Sequence, residues 1–323
     1  VKAGVRAGRS GRPSDTGIRT GAIEGGRVMP GAYVGTIGVD VEDWFHPELM
    51  HERVPAGDAR TVVERGTDAL LDLFARHGAK CTFFLLGDVA IRHPGLVRRI
   101  AGAGHELACH GMTHRPLWSL DRDRFREELR SFRGAVRQAL GASAGAEAIV
   151  GFRAPTFSLD RSTAWALEVL REEGFRYDSS VFPVRASLYG VPGAPLGIYR
   201  PAAQDLARHD PEGSIVEFPV AVAAFGPLRV PAAGGFYLRA LPWLALRALL
   251  DRIARERPFA LYLHPWECVT GLPRVRLAPA AAFVTYLNLD SVLVKLDRLL
   301  RRYRFVPMRE ALEAGGHLTP SPS

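Results

Sequence analysis

Three acids crowd the end of one short apolar run: the segment from Gly38 to Phe45, GVDVEDWF, holds Asp40, Glu42 and Asp43. Neighbouring carboxylates repel one another, so such a cluster costs folding energy unless it does work. On a parallel sheet the C-terminal strand ends form the active-site face, and acids there read as functional more readily than acids on a helix surface. Taken alone, the cluster equally suits capping of the turn that follows.

A second apolar run leads into His110-Gly-Met-Thr-His114. Histidines four apart fit one face of a helix and can bind one divalent ion through imidazole nitrogens, with a carboxylate as third ligand. Pairs at this spacing also arise by chance; coincidence with the acids gives this one its weight. Two histidines and a carboxylate leave open positions for water and a substrate oxygen, which hydrolysis requires. In Gly151-Phe-Arg-Ala-Pro155, Arg153 could hold a carboxylate ionised and oriented, although alone it reads as a surface Arg on a turn. In the run LYLHPWE from Leu261 to Glu267, His264 could protonate a leaving group near neutral pH. A lone histidine of this kind is more often structural, and only its company promotes it.

These residues need a frame that brings four distant segments together. Runs Gly35 to Val41, Ala79 to Leu86, His105 to Cys109, Ala148 to Arg153, Ile215 to Phe218 and Phe259 to His264 have strand character. Between and after them, Thr61 to His77, Arg92 to Ala103, Arg122 to Leu140, Ser162 to Glu173, Leu241 to Arg255 and Leu287 to Arg301 place apolar residues at helical spacing. Gly78, Gly104, Gly141 and Gly174 stand at helix ends as C-cap glycines. The alternation predicts parallel strands joined by right-handed crossovers, and a chain of this length favours an α/β fold closed, or nearly closed, into a distorted barrel. From 183 to 235 proline and glycine are spread through a stretch without helical periodicity, read as a loop insertion. The domain is expected over residues 33–270, with 271–323 a C-terminal extension packed on it and a final strand near Phe305.

The 323 residues are 47% hydrophobic and 24% charged, enough for a substantial core. No run approaches the roughly 20 apolar residues of a membrane span. Half of the formal charge of +8 falls in residues 1–27, and the diffuse remainder, without a basic helix or interleaved aromatics, argues against a nucleic-acid partner. Residues 1–32 are expected to be a disordered or mis-assigned tail, with the true start at Val28 or Met29. Cys81, Cys109 and Cys268 are too few and too scattered for a disulfide framework, so buried thiols and a cytoplasmic location are expected.

In their order and wording these motifs resemble the polysaccharide deacetylases, the NodB-type domain of carbohydrate esterase family four, from about Thr36 to Trp266. The resemblance implies the barrel fold of that family and a divalent metal, zinc first. It implies Asp40 as catalytic base, His110 and His114 as metal ligands, Arg153 and Pro155 as the third motif, Asp178 of Tyr177-Asp-Ser-Ser180 as the fourth, and His264 as catalytic acid. The family's commonest first motif has adjacent aspartates, whereas Val41 separates Asp40 from Glu42 here. Alternation along an extended backbone puts Asp40 and Glu42 on one side, which ranks Glu42 slightly ahead of Asp43 as third ligand, although a turn could equally present Asp43. The segment Gly234-Gly-Phe-Tyr-Leu-Arg239 and the LHPWE run are similar to a bacterial subgroup associated with exosortase and exopolysaccharide loci.

The resemblance implies hydrolysis of the N-acetyl group of an amino-sugar polymer or its precursor, with an N-acetylated saccharide as partner. Asp178 is expected to steady His264 or Arg153. Trp44, Phe157, Phe236, Tyr237 and Trp266, with Pro155 nearby, are candidates to line a sugar groove. The altered first motif leaves hydrolysis of another C–N bond open, on peptidoglycan or a cyclic amide. A non-catalytic carbohydrate-binding module fits poorly with the retained Asp40, His110, His114 and His264.

Overall fold

The computed structural model describes residues 31–51, 61–141, 148–186 and 189–320. The proposed N-terminal tail lies outside them up to residue 30. The strands are β1 (Gly35–Val41), β2 (Thr82–Leu85), β3 (Glu106–Cys109), β4 (Gly151–Phe152), β5 (Tyr177–Asp178), β6 (Pro201–Ala202), β7 (Asp205–His209), β8 (Val216–Glu217), β9 (Val222–Phe225), β10 (Leu228–Pro231) and β11 (Phe259–Leu263). The helices are α1 (Glu48–His51), α2 (Val63–Arg76), α3 (Gly87–Arg92), α4 (Pro94–Gly102), α5 (Arg122–Leu140), α6 (Ala166–Glu172), α7 (Gly235–Ala240), α8 (Trp243–Glu256), α9 (Pro279–Tyr286), α10 (Val292–Leu300) and α11 (Met308–Ala314).

Seven strands form one parallel sheet in the order β11, β1, β2, β3, β4, β5, β8. It curls until its edges approach: Val220, just past β8, bridges Ala260 of β11, and the Ala221 N–H donates to the Ala260 carbonyl at 2.9 Å. This is the distorted (β/α) barrel expected from the alternation of elements. β1 lies inside it and is buried at all seven positions, as a parallel strand covered on both faces must be.

The helices obey their sequence signals. α5 opens on Asp121, whose side chain accepts from the Arg124 N–H at 2.8 Å, and buries the stripe Phe125, Leu129, Phe132 and Val136. Gly78, Gly104, Gly141 and Gly174, which follow helices α2, α4, α5 and α6, all take positive φ. The helix expected over 92–103 is α4, which starts at Pro94, and a separate short helix, α3, precedes it because Pro94 cannot continue α3.

Two further differences concern the later chain. Within 183–235, the strand expected at Ile215 to Phe218 is present as β8 in the barrel sheet, and what the loop reading lacks are the β6/β7 and β9/β10 hairpins that flank it. Near Phe305 there is a single bridge to Gly35 rather than a strand. From there α11 closes the N-terminal mouth of the barrel, where Met308, Ala311, Leu312 and Leu318 pack with Phe84, Tyr177 and Phe218. The Met308 N–H donates to Thr82 Oγ1 at 2.8 Å and the Arg309 N–H to Glu106 Oε2 at 3.1 Å, so the plug is hydrogen-bonded into the strand ends.

Candidate active site

The opposite, C-terminal mouth holds a cavity of about 180 Å³. Asp40 and Glu42 from the end of β1, His110 and His114 from the loop after β3, and His264 and Trp266 after β11 all face it. Glu42, His110 and His114 are buried, and each offers one ligand atom within 4.8 Å of the others.

Two expectations about how these groups meet are corrected. His110 and His114 sit on an irregular loop, not on one face of a helix. Gly111 at φ +86° and His114 at φ +61° fold that loop until the rings lie 5.3 Å apart. Glu128 of α5 pins it by accepting from the Met112 and Thr113 N–H groups at 2.8 and 3.0 Å. Glu42, in turn, arrives through a tight turn in which its N–H donates to the Asp40 carbonyl at 2.9 Å, not through strand alternation. Asp43 points elsewhere. Its carboxylate accepts from the Trp44, Val62 and Val63 N–H groups and from the Thr61 hydroxyl, anchoring the start of α2.

The donor set fits a divalent metal on its own chemistry. Glu42 Oε2 is buried and lacks a hydrogen-bond partner among the described residues, although His114 Nε2 lies 2.6 Å away. His110 Nδ1 lies 2.8 Å from the Arg153 carbonyl and donates to it, which leaves Nε2 with its lone pair free for a ligand bond. Burial would raise the Glu42 pKa, but His114, His264 and His110 together hold the carboxyl below its ordinary range. Burial pushes His110 down to about 4, so it is neutral, as a ligand must be.

Arg153 is fully buried beneath Asp40 and donates from Nη1 to Asp40 Oδ1 at 2.7 Å. Its Nε and Nη2 are held by the Ser179 carbonyl and hydroxyl at 2.9 and 2.8 Å, and its plane lies 4.1 Å from the centre of the Phe84 ring. Gly38 makes this possible, since a Cβ there would collide with the guanidinium.

Asp178 does not touch Arg153 or His264 by hydrogen bond. It accepts from the Ser180 N–H and hydroxyl at 3.0 and 2.5 Å, and it sits opposite Glu217 in the β5/β8 register. Burial pushes the carboxyl pKa values of both acids up, Glu217 furthest. The group that steadies His264 is Glu267, which sequence reasoning missed. Its Oε2 accepts from the His264 N–H and from Nδ1, both at 3.0 Å. Nε2 therefore turns toward Glu42 Oε1, 3.5 Å away. Burial would lower the His264 pKa, but Glu42, Glu267 and Asp40 lift it to about 9. The three-residue spacing of His264 and Glu267 at the start of a helical turn was the available signal, since it is that of a capping box.

Among the aromatic candidates, Trp266, Phe157 and Phe236 line the cavity, while Trp44, Tyr237 and Pro155 do not. Trp44 is buried in a satellite core with Met50, Val62 and Trp266, and Tyr237 packs against Phe182 and Phe236. Tyr189 and Tyr262 line it instead. Three of the four non-glycine residues with positive φ among the described residues, His114, Thr156 and Phe157, border this cavity, so backbone strain concentrates here. Cys81 and Cys109 are buried free thiols, Cys109 directly before His110 with its sulfur accepting from the Gly111 N–H at 3.3 Å, and burial raises the pKa of both.

Comparison with known proteins agrees with this geometry. Residues 56–177 match the polysaccharide deacetylase family, and residues 179–313 match a domain of unknown function, DUF3473. A chitooligosaccharide deacetylase of Rhizobium leguminosarum bv. trifolii is 40% identical over 73 residues, 23% of this chain and 34% of the relative. A peptidoglycan-N-acetylglucosamine deacetylase of Bacillus cereus is 38% identical over 63 residues, 20% of this chain and 23% of the relative. The chain thus covers about a third or less of either relative. A Mycobacterium smegmatis structure assigned to the polysaccharide deacetylases aligns over 94% of this chain and 96% of its own, with a TM-score of 0.56 at 22% identity. The fold is therefore shared across the chain, and residues 56–177, which include the His110 and Arg153 motifs, are similar in sequence to the polysaccharide deacetylase family.

Proposed function

We propose that this protein is a metal-dependent hydrolase that removes the N-acetyl group from an amino-sugar polymer or its precursor, with zinc as the metal and exopolysaccharide assembly as the setting. One observation carries the reading: the Glu42, His110 and His114 cluster lies between an acid fixed by arginine, Asp40, and a histidine fixed by glutamate, His264. The relatives that match are named as deacetylases of N-acetylated sugars, which supports the reaction class. The exopolysaccharide setting is supported by the wording of the GGFYLR and LHPWE segments.

Glu42, His110 and His114 would hold the metal, leaving Asp40 and His264 free for proton transfer. A divalent ion there supplies Lewis acidity toward the acetyl carbonyl and its attacking water. Asp40, oriented by its hydrogen bond from Arg153, takes the proton from that water. His264 is lifted toward its protonated form, and with Nδ1 committed to Glu267 it presents Nε2 to the departing amine. Trp266, stacked at 15° on His264, and Phe157, Tyr189 and Tyr262 provide an apolar wall that thins out competing water and receives the acetyl methyl or a sugar face.

The test is metal content of the purified protein together with acetate release from N-acetylglucosamine oligomers, for wild type and Asp40→Asn. Stoichiometric zinc, with release lowered about 10³-fold in the variant, is the expected result. Ring opening of small cyclic imides without acetate release would replace the reaction, and a protein that binds no metal would overturn the mechanism.

A further inference from the structure

The segment Gly234-Gly-Phe-Tyr-Leu-Arg239, which forms α7 and its N-terminal approach, has no part in the chemistry above, yet its residue types are tightly constrained. Gly234 takes φ +92°, and a Cβ there would meet the Tyr262 ring. A Cβ on Gly235 would strike the Glu267 carboxylate. Two consecutive glycines therefore let the backbone of α7 lie directly on the segment that carries His264.

The last residue of the segment explains the close approach. Arg239 is 2% exposed and donates from Nε to Glu267 Oε1 at 2.9 Å. Its remaining donors reach the Val284 and Leu287 carbonyls at 2.9 and 2.6 Å, with Thr285 at 3.4 Å. These carbonyls belong to the end of α9, where helix geometry leaves acceptors without intrahelical partners and a cation is favoured. A planar guanidinium, with five donors in a rigid fork, serves a carboxylate and a fan of carbonyls at once, whereas an ammonium has three donors and no fixed plane. From the other side, Lys295 of α10 donates to the Leu238, Arg239 and Leu241 carbonyls at 2.8, 3.0 and 2.8 Å, fastening the end of α7.

α9 has reason to need this anchor. It carries no charged side chain, Phe283 is 56% exposed, and Val284 and Thr285 form part of the cavity wall. We propose that Arg239 and Glu267 are positioning residues that couple the seating of α9 at the cavity to the orientation of the His264 ring. With α9 seated, Arg239 holds Glu267, and Glu267 holds Nδ1–H so that Nε2 faces Glu42. With Arg239 removed, Glu267 Oε1 loses its guanidinium donor and the α9 carbonyls lose theirs, so both ends of the link loosen together. The inference rests on His264 acting as the acid.

Three variants of the full chain test it: Glu267→Gln, Arg239→Met and the conservative Arg239→Lys. The readouts are metal content, acetate-release kinetics, the ring-nitrogen resonances of His264 identified by their loss in His264→Asn, and the rate of tryptic cleavage at the exposed Arg274 and Arg276 beside α9. Glu267→Gln is expected to lower kcat about 10²-fold with KM and metal content little changed, and to shift the His264 nitrogen signals. Arg239→Met is expected to do the same and to speed cleavage at Arg274 and Arg276, with Arg239→Lys recovering part of both effects. Unchanged His264 signals in Glu267→Gln would overturn the proposal, as would fast cleavage in Arg239→Met with those signals unmoved. If the wild type released no acetate from any substrate, the functional reading would fail, while the resonance and cleavage data would still decide the coupling.

Discussion

Asp40 and Glu42 stand one residue apart and are both buried, yet their neighbours give them different work. Asp40 meets one guanidinium and lines the cavity, whereas Glu42 meets three imidazoles and has one oxygen without a hydrogen-bond partner among the described residues. The expected outcome is a clean separation on mutation. Asp40→Asn should keep its metal and lose turnover, while Glu42→Gln should lose metal affinity by at least about tenfold, read by competition with a chromogenic chelator. Asp43 illustrates how far residue type misleads: it is an acid in the same cluster, but four hydrogen-bond donors from its own turn and from the start of α2 occupy it. Asp43→Asn should therefore leave metal content unchanged and lower the melting temperature. Equal metal loss in the Asp43 and Glu42 variants would contradict the assignment.

At the scale of elements, the site depends on where backbones allow close approach. Gly38 sits in the middle of β1, where a glycine is otherwise unfavourable, because the Arg153 guanidinium occupies the space its side chain would fill. Gly38→Ala is expected to displace Arg153 and lower kcat at least tenfold, while metal content measured on the same preparation stays stoichiometric. α5 matters differently, through Glu128, which holds the loop between the two histidines. Its N-cap Asp121 is exposed and far from the cavity, so Asp121→Ala should cost about 1 kcal/mol in chemical denaturation and leave activity unchanged.

The whole molecule is a barrel whose narrowest strands, β4, β5 and β8, are two residues long each. There Asp178 and Glu217 face each other in register, fully buried, with their pKa values raised. Groups raised in the folded state bind protons that the unfolded chain has released. Their contribution to stability is full below the ordinary carboxylate range and is lost as pH climbs through the raised values. The protein should therefore lose melting temperature toward alkaline pH. Glu217→Gln, which needs no proton to be neutral, should flatten that loss; an unaltered slope in the variant would place the pH dependence elsewhere.

Much of this was legible in the chain itself. Apolar periodicity and glycine stops located β1 and α5 to the residue, because burial of a strand on both faces and of one helical stripe leaves a local record. The acids, the histidine pair, Arg153 and His264 were legible because a polar group ending an apolar run has few structural uses. The choice of Glu42 over Asp43 rested on strand alternation, whereas the fold delivers Glu42 through a tight turn, which no periodicity records. The pairing of His110 with His114 likewise comes from positive-φ backbone held by Glu128, not from a helix. Glu267 as the partner of His264, in place of Asp178, and Arg239 as the partner of Glu267 appeared only in three dimensions. Sequence determines which residues can carry charge, ligate or bend. Which carboxylate faces which cation is set by how the barrel closes, since electrostatic pairing depends on distances between segments that the chain places far apart.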